Sequence, residues 1–168
     1  MILIAMGANL DHPVHGAPVN SLAAAVAVLN VLDIQVVSQS SWYKTAPVPI
    51  SDQPWFVNAV IAVQTEMLAP DLLQALHKIE AQFGRVREAK WEARVLDLDL
   101  IAYNGLVTDN RDQGAGGVVP HPHMQDRAFV LAPLNEIAPD WQHPLTGQTA
   151  AQMMAGLEAA PAFEIVQI

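Results

Sequence analysis

Apolar residues recur along the chain in two rhythms, one of period two and one near 3.6, and their alternation lays out the elements. Residues 1–6 form an unbroken apolar run that passes into Gly7-Ala8-Asn9, which predicts a buried first strand. Residues 11–20 carry Pro13, Gly16 and Pro18 and read as a loop, after which Ser21 is placed to cap an alanine-rich helix reaching about Leu32. The β-branched and aromatic residues of 34–44 and of 55–65 predict two further strands, joined by a loop whose Pro47, Pro49 and Pro54 restrict its shape. Pro70 suits a first helical turn, Leu72, Leu73, Leu76, Ile79 and Phe83 follow the helical period, and Gly84 ends the helix. Residues 96–103 alternate as a strand, and Asn104-Gly105 is a two-residue hairpin signal before Leu106-Val107-Thr108. The tail reads as a turn near 122–127, an apolar segment at 129–137, a helix at 149–157 and a terminal strand at 163–166.

The resulting order, β-α-β-β-α-β with an added hairpin and C-terminal elements, predicts an α+β, ferredoxin-like fold. In it helices cover one face of a mostly antiparallel sheet. No interdomain linker interrupts the pattern, although 109–117 is glycine-rich, so residues 1–168 are expected to form one domain. The most apolar stretch, 22–32, is interrupted by Asn30 and Asp33 well short of the roughly 18 residues a membrane span needs. No basic, apolar leader opens the chain.

Charge narrows the partners. Seventeen acidic residues against eight basic ones give a formal charge of −9, which disfavours a nucleic-acid binder or a polybasic membrane-surface protein. Cysteine is absent, removing thiolate nucleophiles, disulfides and sulfur-ligated zinc together. The expectation is a soluble cytoplasmic protein, a monomer, that handles small molecules.

Candidate chemistry begins at Asp97-Leu98-Asp99. Period two puts both carboxylates on one strand face, about 6.6 Å apart along the chain, where they repel and call for solvent, a basic partner or a cation. Hard oxygen ligands suit Mg²⁺ shared with phosphates, while a wet edge strand is the plain alternative. Just upstream, Arg85, Arg87, Lys90 and Arg94 gather four of the eight basic residues within ten positions. They form either an ordinary solvated run paired with Glu88 and Glu92 or a polyphosphate grip beside the carboxylates.

Two weaker clusters follow. His121-Pro122-His123 lacks a third nearby nitrogen or sulfur ligand, which argues against zinc. His121 reads as a phosphate donor and His123 as solvent-exposed. Phe56 and Asn58 share one face of their strand and offer a flat apolar surface beside an amide, suited to a planar heterocycle; taken alone, Phe56 is more often a core residue and Asn58 more often a turn or edge residue.

In order along the chain stand Gly7-Ala8-Asn9-Leu10, Tyr43-Lys44-Thr45-Ala46-Pro47, Asp52-Gln53-Pro54-Trp55-Phe56-Val57-Asn58-Ala59, Ile79-Glu80, Gly84-Arg85-Val86-Arg87, Arg94-Val95-Leu96-Asp97-Leu98-Asp99-Leu100, Pro120-His121-Pro122, Arg127-Ala128-Phe129-Val130-Leu131 and Glu136-Ile137-Ala138-Pro139. Together they resemble the 6-hydroxymethyl-7,8-dihydropterin pyrophosphokinases of folate biosynthesis. The resemblance implies transfer of the β,γ-pyrophosphoryl group of ATP to the pterin hydroxymethyl oxygen, with release of AMP. It implies that Asp97 and Asp99 hold two Mg²⁺ ions, and that Arg85, Arg87, Arg94, Asp97 and Asp99 carry the chemistry. ATP would be bound by Glu80, Arg85, Trp91, Arg94, Leu100, His121 and Arg127. The pterin would be bound by Thr45, Ala46 and Val48 through their backbones, by Phe56 and Phe129 stacking on its faces, by Asn58 at its polar edge, and by Asp97. The chain departs from the family's usual Trp-Gly-Pro-Arg at Trp91-Glu92-Ala93-Arg94. A non-catalytic nucleotide- or pterin-binding homologue and, more distantly, a metal-dependent phosphohydrolase are the rival readings.

Overall fold

A computed structural model describes residues 1–47, 51–85, 93–108 and 117–157, together with the backbone of 163–166. Val48, Arg87, Lys90, Trp91 and Glu92 lie outside the described residues.

The elements are β1 (Ile2–Ala8), α1 (Pro18–Val31), β2 (Gln35–Gln39), β3 (Trp42–Thr45), β4 (Phe56–Gln64), α2 (Ala69–Gln82), β5 (Asp97–Tyr103), a 3-10 turn (Met124–Asp126), α3 (Ala128–Ile137), α4 (Ala150–Ala155) and β6 (Phe163–Val166). The sheet runs β5-β1-β4-β3-β6, with β2 also on β4, and these pairings are antiparallel. Counting β2 and β3 as one interrupted strand, the core order is fourth, first, third, second, which is the ferredoxin-like arrangement.

The interruption has a local cause. Ser40 donates its backbone N–H to Val60 O at 3.0 Å and accepts the Val60 N–H on Oγ at 3.1 Å. A side chain thus takes a place in the ladder, and the single strand expected over 34–44 divides there. The first helix also differs from expectation: it starts at Pro18, whose fixed φ is pre-organised for a first turn, and Ser21 lies buried inside it. The second helix ends as read, with Gly84 at φ 81°.

The Asn104-Gly105 turn forms, both residues having positive φ, but the expected returning strand over 106–108 does not. The chain instead leaves the β5 edge. Thr108 pairs with Val119 through bonds of 2.8 and 2.9 Å, and His121 then donates its N–H to Ile101 O at 3.0 Å. That last bond fixes His121 beside the strand carrying the two aspartates.

Helices cover both faces of the sheet, not one. Ile4, Met6, Ile61, Leu98 and Leu100 pack on one face with Leu22 and Leu29 of α1 and Leu76 and Ile79 of α2. Leu3, Val60 and Ile101 pack on the other with Val130, Leu131 and Leu134 of α3 and Met153 of α4. The apolar segment left without a type in the sequence reading is α3, which accommodates Pro133 inside it.

Candidate active site

The site forms at one end of the sheet, on the face that α3 covers. Gly7 pairs with Asn58 on one side and Asp97 on the other, and Ala5 lies opposite Asp99. Cross-strand partners share a face, and period two adds Phe56 and, through its pairing with Phe56, Thr45. Here the sheet end and the start of α3 enclose a cleft of about 320 Å³. Its walls include Thr45, Ala46, Phe56, Asn58, Arg85, Arg94, Asp97, Asp99, His121, Arg127 and Phe129, so most of the residues picked from sequence converge.

The two aspartates are held differently. Asp97 is bracketed by guanidinium groups, Arg85 at 2.5 Å on Oδ1 and Arg94 on Oδ2. Asp99 has a looser ion pair with Arg127 at 3.7 Å. Burial, together with the neighbouring Asp97 charge, pushes the Asp99 carboxyl up to about 6, with Arg127 acting against the rise. The Asp99 side chain stays 37% exposed, so beside Asp97 it is open to a cation from the cleft. The donors are oxygens only, and among the described residues no cluster of three His, Cys, Asp or Glu side chains stands ready for a metal. Two carboxylates of this kind fit Mg²⁺, which takes its remaining ligands from phosphate oxygens and water.

His121 is pushed down to about 4, by burial first and by the Arg127 charge second, so it is neutral at physiological pH. Its Nδ1 accepts the His123 N–H at 3.2 Å, which leaves Nε2 to carry the ring proton as a hydrogen-bond donor. Arg127 reaches over the Phe129 ring, 5.7 Å from its centroid, at the start of α3. Arginines, a neutral histidine donor, a carboxylate pair, aromatic rings and an amide therefore line one cleft.

Two of the sequence-selected residues stand outside the cleft walls. Glu80, 1% exposed, accepts the Leu98 N–H at 2.8 Å and pairs with Arg85, anchoring that arginine from beneath. Leu100 points its side chain into the α1/α2 core, on the opposite face from Asp99. Sequence reasoning gave no role to Asn9, which the structure places at a junction. Its Nδ2 donates to Gln53 Oε1 at 3.3 Å and Pro54 O at 3.1 Å, and its Oδ1 accepts the Arg94 N–H at 2.6 Å. One buried amide thus ties the segment leading to Phe56 to the arginine beside Asp97. The run Gly7-Ala8-Asn9 carried the only signal for it.

Residues 3–139 match the family model of 7,8-dihydro-6-hydroxymethylpterin-pyrophosphokinase (HPPK). A 2-amino-4-hydroxy-6-hydroxymethyldihydropteridine pyrophosphokinase of Methylorubrum extorquens is 41% identical over 157 residues, covering 92% of each chain. One of the same name from Synechocystis is 37% identical over 164 residues, 97% of this chain and 79% of that protein. A crystal structure of Plasmodium falciparum HPPK-DHPS superposes with a TM-score of 0.64 at 12% identity. It covers 90% of this chain, which spans 42% of that longer one, and shows the shared fold.

Proposed function

The chain belongs to the 7,8-dihydro-6-hydroxymethylpterin-pyrophosphokinase family, and from that premise we propose how its cleft carries out ATP-dependent pyrophosphoryl transfer to 6-hydroxymethyl-7,8-dihydropterin in folate synthesis. The carrying observation is convergence in one cleft: Asp97 and Asp99 with Arg85, Arg94, Arg127 and His121, together with Phe56, Asn58 and Phe129.

The pterin lies between Phe56 and Phe129 with its polar edge on Asn58 and on the Thr45–Ala46 backbone, aiming its hydroxymethyl oxygen at the aspartates. That oxygen attacks the β-phosphorus of ATP. The bond from this phosphorus to the α,β-bridging oxygen breaks, AMP leaves with that oxygen, and the hydroxyl proton passes to solvent water. A loose transition state of this kind asks for alignment and charge neutralisation more than for a strong base. Two Mg²⁺ ions held by Asp97 and Asp99 would supply a template and an electrostatic sink for the triphosphate. Arg85 and Arg94, now spent on Asp97, are positioned to exchange that carboxylate for phosphate oxygens, and Arg127 and the His121 Nε2–H add donors from the α3 side. Arg87 and Trp91 are proposed to close over the substrates.

Among the described residues no helix is long and apolar enough to cross a membrane. Incubation with ATP, Mg²⁺ and the pterin tests the reading. AMP that appears only when the pterin is present supports it, and phosphate release without the pterin opposes it.

A further inference from the structure

We propose that Thr45 and Gly7 determine which hydrogen-bonding edge of the substrate the cleft accepts, acting through the orientation of Asn58. The inference rests on the reading of the cleft as a pterin site. Asn58 is 5% exposed and Thr45 2%. Asn58 Nδ2 donates to Thr45 Oγ1 at 2.7 Å, so the threonine contributes a side-chain hydroxyl as well as a backbone.

A carboxamide has two N–H donors and a carbonyl oxygen. Thr45 takes one N–H. Among the described residues no donor reaches Asn58 Oδ1 and no second acceptor reaches Nδ2. What Asn58 retains is one acceptor beside one donor, facing the cleft that it lines. The complement of that edge is the N–H and C=O of a cyclic amide, which pairs with it through two N–H···O bonds as amides pair with each other. A ring carrying an amino group in place of that carbonyl presents the reverse edge, donor against donor and acceptor against acceptor, and both polar atoms on each side are left unmet in that register.

Gly7 gives the amide its room. A Cβ at that position would stand 2.9 Å from Asn58 Oδ1, closer than side-chain atoms tolerate, so any larger residue turns or displaces the amide. Position 7 sits in the middle of three paired strands, between Asn58 and Asp97, where the backbone has no freedom to yield. Thr45 holds the amide from one side through Nδ2, and the bare Cα of Gly7 leaves room for Oδ1 on the other. Both are positioning residues.

The test measures binding of 6-hydroxymethylpterin and of its 2,4-diamino counterpart, which reverses the lactam edge, to wild type, Thr45→Val, Thr45→Ser, Asn58→Ala and the Thr45→Val/Asn58→Ala double variant. Affinity for an ATP analogue is measured in parallel. Thr45→Val is expected to weaken pterin binding roughly tenfold and to narrow the preference over the diamino compound, with the ATP analogue bound as in wild type. Thr45→Ser is expected to keep both properties, and Thr45→Val to add nothing once Asn58 is gone. Undiminished selectivity in Thr45→Val, or an equal loss with and without Asn58, overturns the inference while leaving the pterin site intact. Failure of the wild-type protein to bind either pteridine overturns the functional reading itself. Gly7→Ala supplies an independent arm: it is expected to lower pterin selectivity, and unchanged selectivity counts against the inference.

Discussion

Tyr43 donates its hydroxyl to Glu136 Oε2 at 2.8 Å, joining the strand that leads to Thr45 to the helix that begins beside Phe129. The other oxygen of Glu136 accepts the Ser41 N–H and the Ser41 hydroxyl, each at 2.9 Å. One carboxylate therefore clamps the two walls of the cleft. Burial alone pushes it up, but the bonds from the Ser41 N–H, the Tyr43 hydroxyl and the Ser41 hydroxyl outweigh burial and hold it below the usual glutamate value.

The clamp has a pH window. A depressed carboxyl contributes stability above its unfolded value, about 4.3, and loses it as the pH falls through the folded one. Tyr43 is pushed up to about 12, by burial first and by Glu136 second, so its contribution is complete below about 10 and is lost as the pH rises through 12. Glu136→Ala is expected to lower stability by about 1 kcal/mol at neutral pH, since solvent screens this exposed carboxylate, and by less below pH 4. Urea unfolding at a series of pH values reads this, and a penalty that stays constant down to pH 3 contradicts the clamp.

Among the described residues Ser21 Oγ, buried with core side chains, has no hydrogen-bond partner. A hydroxyl in that state destabilises the fold, so Ser21→Ala is expected to raise unfolding free energy by up to about 1 kcal/mol. A loss of stability in chemical denaturation shows that the hydroxyl is satisfied in solution.

Phe129 stands at the start of α3 in the cleft, under Arg127. Phe129→Ala is expected to weaken pterin binding roughly tenfold and ATP binding much less. Calorimetry of each ligand separately decides it. A larger loss for ATP moves the aromatic ring to the nucleotide.

Much of this was legible before any coordinates, and for identifiable reasons. Pro70, a clean helical period and Gly84 bound α2 from local chemistry alone, and Asp97-Leu98-Asp99 declared its shared face through strand geometry. What stayed hidden depends on distant partners. Ser40 breaks a strand only because Val60 is there to take both of its bonds, and β-branched residues on either side conceal the break. Leu106 to Thr108 read as a strand because a hairpin turn precedes them, yet Thr108 finds Val119 instead. Gly7 looked like the end of a strand and proved to be clearance for Asn58. Helix α3 carries Pro133, which masks a helical pattern whose other face meets Val60 and Leu3.

Asp97 and Asp99 carry the central claim together, since among the described residues one is neutralised by Arg85 and Arg94 and the other has the longer Arg127 contact. Asp99→Ala is expected to lower turnover by roughly 10²-fold or more while metal-free protein still binds the pterin. A variant that turns over like wild type removes Asp99 from the reaction.

The most direct measurement is phosphorus NMR of wild-type protein turning over ATP, Mg²⁺ and 6-hydroxymethyl-7,8-dihydropterin in ¹⁸O-labelled water. The account predicts equal amounts of AMP and a pterin diphosphate ester, neither carrying the label. Labelled phosphate or pyrophosphate, or ADP in place of AMP, would contradict it.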